Sequence, residues 1–157
     1  MVTNTGTEVR CSIARTLEVL GEKWTLLVVR QALWGQTRFT QFREALGVAP
    51  DVLTDRLATL VRFGVLERRP YRVAGGRERA EYVLTPAGEE LRVVLGALNA
   101  WGDRHRPAPT GQASTFVEAA TGEPVSLHFS THDGRALEPA EVTMVRNAPS
   151  LIGHHHP

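Results

Sequence analysis

The sequence predicts an α+β fold that is mainly α-helical, with one β-hairpin and a small β-rich extension at the C-terminal end. Three observations lead to this prediction. Apolar residues recur at helical spacing in several stretches, a Gly-Gly pair separates two short strand-like runs, and prolines with a glycine mark a linker beyond residue 106. The 157 residues are enough for one domain with an appendage.

The stretch 39–84 organises the chain, because it reads as a short helix, a turn, a second helix and a basic hairpin. In the second helix Leu53, Leu57 and Leu60 fall at helical spacing and predict one buried stripe. A helix with a buried back and a small polar front can lie in the major groove of double-stranded DNA. The front of this helix carries Asp51, Thr54, Asp55, Ala58 and Arg62.

Two further helices are predicted before this stretch. Residues 12–20 have a single apolar face, whereas residues 23–33 are apolar nearly all round and are therefore expected to form the central core helix. The first helix of the following pair spans 38–46, and Thr40 at its start can either cap a free backbone N–H or meet a phosphate oxygen. Pro50 belongs in the first turn of the second helix, where its missing N–H costs nothing.

The second helix, near 50–63, is predicted to end at Gly64, as helices often do at a glycine. The hairpin then covers 66–84, with strand character before and after a turn at 74–77 that contains the Gly-Gly pair. Pro70 lies in the first strand and implies an edge position or a bend, since proline cannot donate to a ladder.

A long helix follows the hairpin and is predicted to run to about Arg104. Thr85 before Pro86 is a helix-start pattern, with a capping hydroxyl and a proline in the first turn. Nineteen residues at the α-helical rise would span roughly 28 Å. The apolar face of such a helix needs a partner, and Gly88 would allow close packing in its first turn.

The charges are distributed unevenly along the chain. Residues 1–106 contain 16 Lys and Arg against 12 Asp and Glu, whereas residues 107–157 contain 2 against 5. The basic part is expected to contact a polyanion, although ordinary solubilising charge would give a similar pattern. Around the hairpin the cations are all arginine, which favours bidentate contacts to phosphate or to base edges: Arg62, Arg68, Arg69, Arg72, Arg77 and Arg79.

The predicted DNA contacts divide by type. Phosphate contacts position a protein on DNA, and base-edge contacts near the start of the second helix specify sequence. Arg56 adjoins the core-facing Leu57, so it is either a DNA contact or a structural ion-pair partner. The full predicted set is Arg38, Thr40, Pro50, Asp51, Thr54, Asp55, Arg56, Arg62, Arg72, Arg77 and Arg79.

Cys11 is the single cysteine, which excludes an intrachain disulfide framework and favours a reducing compartment. It is either a small buried apolar residue or a redox or electrophile sensor, because a helix N-terminus stabilises a thiolate. With no signal-peptide core and no membrane-spanning run, we expect a cytoplasmic protein without membrane contact.

Neither an enzyme nor a bound metal is predicted. No nucleophile–base pair, phosphate loop or zinc-protease pattern is present, so we expect no catalytic residues and no cofactor. His128 and His132 lack the cysteine or carboxylate neighbours of a zinc site and are expected to be solvated. The terminal run at 154–156 is either native or an added tag.

The C-terminal part is predicted to be a weak folding unit because it is small, acidic and short of large apolar residues. We expect strands near 114–120 and 124–130, a turn at 132–134, and another strand or short helix within 136–145. The predicted divisions are a flexible segment 1–10, a domain 11–106, a linker 107–115, an extension 116–147 and a disordered tail 148–157.

The chain from Cys11 to about Arg104 resembles the HxlR-type (DUF24) winged helix-turn-helix transcriptional regulators. The resemblance is carried mainly by two runs, Gly-Glu-Lys-Trp-Thr-Leu-Leu at 21–27 and Leu-Thr-Pro-Ala-Gly at 84–88. It implies a homodimeric bacterial regulator of a pseudo-palindromic operator, with the first and last helices in the dimer contact. The dimer residues would be Ile13, Leu17, Leu91, Val94, Leu95, Leu98 and Trp101.

The same resemblance bears on sensing and on the extension. Several members sense electrophiles or oxidants through the cysteine that matches Cys11, although Ser12 stands where a proline usually follows. The extension looks like a zinc-ribbon-like knuckle of some relatives, with Thr121, Ser130 and Asp133 in place of cysteines, so no metal site is expected.

We therefore expect a dimeric DNA-binding transcriptional regulator, a repressor that responds to an electrophile, an oxidant or a small-molecule ligand. The alternative is a small-molecule-binding or protein-interaction module that uses the winged-helix scaffold without reading DNA directly.

Overall fold

The structure is a computed structural model and describes residues 11–145 and 147. The chain divides after Ser114 into two compact units. Among the described residues, the first contains five helices and a β-hairpin, and the second contains two short strands and a 3-10 turn. The elements are α1 (Ser12–Leu20), α2 (Lys23–Leu33), α3 (Phe39–Leu46), α4 (Pro50–Arg62), β1 (Leu66–Tyr71), β2 (Arg79–Leu84), α5 (Pro86–His105), β3 (Phe129–Ser130), β4 (Ala136–Leu137) and the 3-10 turn Pro139–Glu141.

The first unit is a winged helix-turn-helix, as predicted, with α2 at its centre. Val28 and Val29 of α2 are completely buried, and α2 packs against each of the other four helices and β2. The leucine stripe of α4 meets it from one side, which confirms the prediction made for that helix. The core comprises Leu20, Val28, Val29, Ala32, Phe42, Val48, Leu53, Leu57, Leu60, Val65 and Leu66.

Helix α4 ends in a glycine cap, as the sequence predicts. Gly64 has a φ of +71°, the left-handed region that a residue with a side chain rarely adopts. The N–H of Gly64 donates to the carbonyl of Val61 at 3.0 Å, and the N–H of Val65 donates to the carbonyl of Leu60 at 2.9 Å. These two bonds satisfy carbonyls that the end of the helix would leave unpaired, and they direct the chain into β1.

Thr85 caps α5, which confirms the predicted helix start, and it also reaches back across the fold. Its hydroxyl accepts a hydrogen bond from the N–H of Gly88 at 3.1 Å and lies 2.5 Å from the carbonyl of Gly64, to which it donates. The backbone N–H of Thr85 donates to the carbonyl of Val65 at 3.1 Å. The first turn of α5 is therefore joined to the residues that follow α4.

The wing is an antiparallel pair in which Leu66 lies opposite Leu84 and Tyr71 lies opposite Arg79. The first strand ends at Tyr71 and the second begins at Arg79, so the connecting segment, 72–78, is three residues longer than the predicted turn at 74–77. At the base of the wing, Tyr82 donates its N–H to the carbonyl of Thr37 at 2.7 Å. This bond attaches the residues before α3 to the edge of the hairpin.

The capping role considered for Thr40 is wrong. Helix α3 begins at Phe39, and the side-chain oxygen of Gln41 accepts from the N–H groups of Thr37 and Arg38 at 3.1 and 2.9 Å. Gln41 can do this because it lies at the third helical position, from which a long amide side chain reaches back to the start.

In the second unit the long strands predicted near 114–120 and 124–130 are not present. The first is reduced to a single bridge between Val117 and Pro124, and the second to the two residues of β3, which pair with β4. Four of the larger apolar side chains in this region stay about half exposed: Val117, Val125, Leu127 and Phe129. Longer strands here would therefore bury little apolar surface, and little would stabilise them.

Two tight turns shape the second unit, and the second of them is the predicted turn near 132–134. Gly122 and Gly134 each adopt a positive φ, of 76° and 88°. In the first turn the Thr121 hydroxyl donates to Glu118 at 2.6 Å. In the second, the Thr131 hydroxyl donates to Asp133 and lowers the pKa of that carboxyl.

The segments expected to be flexible or disordered, 1–10 and 148–157, lie outside the described residues, as does the histidine run at 154–156. Within the part of the chain that the structure describes, no helix combines the length and the apolar character needed to cross a bilayer.

Candidate nucleic-acid interface

The front of α4 is open to solvent while its back is buried. Leu53, Leu57 and Leu60 are at most 1% exposed. Every residue predicted for the opposite face is exposed, so the helix offers solvent a continuous surface of small and acidic side chains that ends in an arginine. Those residues are Pro50, Asp51, Thr54, Asp55, Ala58 and Arg62.

Thr54 has its hydroxyl hydrogen bonded within the helix. The hydroxyl donates to the carbonyl of Pro50 at 2.8 Å, one turn back along α4. This is the back-bond that threonine often makes inside a helix, and it uses the hydroxyl proton, so the exposed side chain offers solvent a methyl group but no free donor.

Arg38 lies between α3 and the wing. Its guanidinium carbon is 4.7 Å from the centroid of the Tyr71 ring, a stacking distance for a cation over an aromatic face. Arg38 also forms an isolated backbone bridge with Glu81 of β2. Stacking holds the guanidinium plane without using its N–H groups, so those donors can still bond to another partner.

Ion pairs partly neutralise the arginine cluster of the wing. Arg69 lies 2.9 Å from Glu67, and Arg72 lies 3.6 Å from Glu78. The hydrogen bond from Arg69 lowers the pKa of Glu67 and raises that of Arg69 itself. Sequence reasoning missed both pairs, although Glu67 and Arg69 are two apart in one strand and must share a face.

The other wing arginines keep their charge without a partner. Arg68, Arg77 and Arg79 are exposed and make no ion pair with any of residues 11–145 or 147. Arg77 lies in the tip segment beside the Gly-Gly pair, and Arg79 opens β2. The net positive charge of the wing is therefore concentrated toward its tip.

Two arginines flank the front of α4. The guanidinium of Arg62 lies over the Phe63 ring, 4.9 Å from its centroid. Arg56 is half-buried, and its Nε is shielded from solvent without a hydrogen-bond partner. The structural ion pair considered for Arg56 does not form with a described acidic residue.

An apolar face on α1 and α5 is left uncovered by the other residues that the structure describes. Ile13 and Leu17 on α1 are more than half exposed, as is Trp101 on α5. Val94 and Leu98 are also exposed, at 37% and 49%. The other two predicted dimer residues, Leu91 and Leu95, are half-buried and pack against the core of their own chain.

Cys11 is exposed and occupies the position just before α1, where the backbone is still extended. The position at a helix start is as predicted, whereas the alternative of a buried apolar residue is wrong. Elsewhere, no three histidine, cysteine or acidic side chains of the described residues are arranged to hold a metal ion. Thr121 and Asp133 instead take part in the hydrogen bonds of the two turns.

Comparison with known proteins shows the family to which this chain belongs. A model of the HxlR-like helix-turn-helix matches residues 19–109. The uncharacterised HTH-type transcriptional regulator Rv3095 of Mycobacterium tuberculosis is 38% identical over 133 residues, which are 84% of this chain and 83% of that one.

Solved structures agree with the fold. PA1607, a proposed transcription factor, superposes with a TM-score of 0.76 at 36% identity, covering 88% of this chain and 96% of that chain. The redox regulator HypR in its reduced form superposes with a TM-score of 0.56 at 28% identity, covering 61% of this chain and 94% of that chain.

Proposed function

This chain belongs to the HxlR-like helix-turn-helix family and is a DNA-binding transcriptional regulator, and from that premise we propose that it is a homodimeric repressor of a pseudo-palindromic operator. We place its action in the cytoplasm, where such a regulator meets the chromosome. Each protomer would insert α4 into a major groove and lay the wing along the neighbouring backbone.

The observation that carries this proposal is the exposed front of α4 beside a wing with unpaired arginines. In this arrangement Pro50, Asp51, Thr54 and Asp55 meet base edges, because they occupy the first turns of the exposed face. The major groove is wide enough for a helix to bring such side chains within reach of the bases.

Phosphate contacts would come from the arginines around this face. Arg38 supplies N–H donors from a guanidinium that the Tyr71 ring already holds in place. Arg77 and Arg79 would contact the DNA backbone from the wing. Further phosphate contacts would come from Thr40, Arg56, Arg62 and Arg72. The exposed pair between Arg72 and Glu78 is weak enough to exchange for a phosphate.

Dimerisation would cover the apolar face of α1 and α5. Five exposed apolar side chains on two helices, among them a tryptophan, are the kind of exposed apolar surface that marks an interaction site. Two-fold pairing through this face would present two copies of α4 to half-sites spaced by about one or two helical turns, ~10 bp each.

Removing the charges of Arg77 and Arg79 tests the wing contact. We expect the Arg77→Ala, Arg79→Ala protein to bind an operator roughly tenfold or more weakly, because each protomer of the dimer loses two charge-assisted phosphate contacts. The slope of log affinity against log salt should become shallower by about 3 to 4, because the bound dimer loses four cations. Gel-shift titrations at several salt concentrations, on duplexes from the promoter of its own gene, measure both quantities.

The matched control is the Arg92→Ala, Arg104→Ala protein, which loses the same charge from α5. Arg92 is exposed and paired with Glu89, so its removal should leave the fold and the salt slope unchanged. If the wing variant and this control have the same salt slope, then the wing does not contact the backbone.

We further propose that the operator affinity responds to thiol chemistry at Cys11. Support comes from the exposure of this thiol at the start of α1, next to the proposed dimer face, and from the likeness to the redox regulator HypR. Alkylation of Cys11 with iodoacetamide is expected to weaken operator binding at least severalfold. The Cys11→Ser protein serves as the control and should not respond, and an unchanged affinity of the alkylated wild type would exclude the thiol mechanism.

A further inference from the structure

We propose that α4 selects cytosine and thymine in each operator half-site and does not read guanine. The inference rests on the proposed function, since it assumes that the exposed front of α4 faces base edges. Its basis is a chemical asymmetry of that front, which offers hydrogen-bond acceptors and methyl groups but no free side-chain donor over its first three turns.

The acceptors are the carboxylates of Asp51 and Asp55. Both side chains are exposed on the front of α4, and neither makes an ion pair with any described residue. An ionised carboxylate can only accept hydrogen bonds. Each of these two groups therefore needs a donor on the DNA.

The hydroxyl of Thr54 does not alter this balance. Its proton is used in the 2.8 Å bond to the carbonyl of Pro50, so the side chain presents its methyl group to the groove. Ala58 lies one turn further along the same face and is also exposed, and it adds a second methyl group. The front thus alternates between carboxylates and methyl groups.

The major-groove edges of the four bases respond differently to such a surface. Guanine offers two acceptors, N7 and O6, which repel a carboxylate, whereas cytosine offers an amino donor. Thymine offers a methyl group, which packs against the methyl of threonine or alanine. Adenine presents its amino donor beside an acceptor, so a carboxylate gains less from it than from cytosine.

Arginine is the usual reader of guanine, and the arginines near α4 are placed for other contacts. Arg62 belongs to the last turn of the helix and lies over the Phe63 ring. Arg56 lies on the flank, half-buried, with its Nε turned away from solvent. Both positions suit phosphates at the edges of the groove better than the bases at its floor.

Selection from a pool of random duplexes with the full chain tests the inference. The wild type should enrich half-sites with a cytosine opposite Asp55, and replacing that base should cost about tenfold in affinity. The Asp55→Asn protein should enrich adenine at this position, because an amide both donates to N7 and accepts from the amino group.

A second arm tests the methyl contact. Replacing the selected thymine with uracil removes one methyl group and should lower wild-type affinity about fourfold. The Thr54→Ser protein keeps the hydroxyl and its bond to Pro50 but lacks the methyl, so it should bind both duplexes equally.

The outcomes distinguish a failure of this inference from a failure of the proposed DNA-binding function on which it rests. A motif that the Asp55→Asn change leaves unaltered, or a wild type that binds thymine and uracil duplexes equally, overturns the inference while DNA binding stands. Failure of the wild type to enrich any sequence overturns both the inference and the proposed function.

Discussion

The Leu98→Glu protein is expected to sediment as a 17.3 kDa monomer, and its affinity for a duplex with two half-sites should fall about a hundredfold or more. Leu98 is 49% exposed on α5, within the apolar face that we assign to the dimer contact. A glutamate at the centre of that contact would bury an unpaired charge, which costs far more than the lost leucine packing. Without the second protomer the two half-sites are no longer bound cooperatively.

The control for this prediction is Val93→Glu. Val93 is 63% exposed on the same helix, but it lies roughly 140° around the axis from Leu98. The substitution adds the same charge to α5 outside the proposed contact, so the protein should remain dimeric and bind the operator normally. Sedimentation velocity measures the oligomeric state and gel shifts measure the operator affinity. A dimeric Leu98→Glu protein would rule out this face as the dimer contact.

The Gly88→Ala protein is expected to lose roughly 2–4 kcal/mol of unfolding free energy. A Cβ atom at this position would lie 2.2 Å from the carbonyl oxygen of Val65 and 2.8 Å from a methyl carbon of Leu84. The first of these is a backbone atom, so relief would require α5 to move away from the residues that connect α4 to β1. Alanine gains about 1 kcal/mol over glycine in a helix, which this overlap exceeds.

Gly102 provides a control of opposite sign in the same helix. A Cβ atom there would have no neighbour within 4 Å in its own chain, so in the monomeric Leu98→Glu background Gly102→Ala should raise the unfolding free energy by up to about 1 kcal/mol. Urea unfolding at one protein concentration compares the variants. A Gly88→Ala protein as stable as the wild type would mean that the close packing at Val65 contributes nothing.

The helices of the first unit could be predicted closely because local and tertiary signals agree in them. The stripe of Leu53, Leu57 and Leu60 sets both the period and the buried face, and Gly64 and Pro86 mark boundaries that the backbone itself requires. The exposed front of α4 follows from the same pattern, since the side opposite a buried stripe has nothing to pack against.

The remaining features depend on partners that are distant in sequence or on competition between neighbours. The pattern of apolar and polar residues could not show that Gln41 rather than Thr40 caps the start of α3. Nor could it show that the Arg38 guanidinium stacks on the Tyr71 ring. The extension was over-predicted because β-propensity around Phe129 indicates strands, while regular strands also need a second surface to cover them.

The hydroxyl of Thr85 links the helix that we propose to read DNA, α4, to the helix that we assign to the dimer, α5. The hydroxyl bonds to Gly64, and Gly88 packs against Val65. These contacts join the residues that directly follow α4 to the first turn of α5, so the two segments move together. In the proposed dimer, an event that tilts one protomer against the other would therefore also change the separation of the two copies of α4. Such a coupling would let a signal that is received far from the DNA alter the distance between the two α4 helices. No separate segment of the chain would be needed to carry that signal.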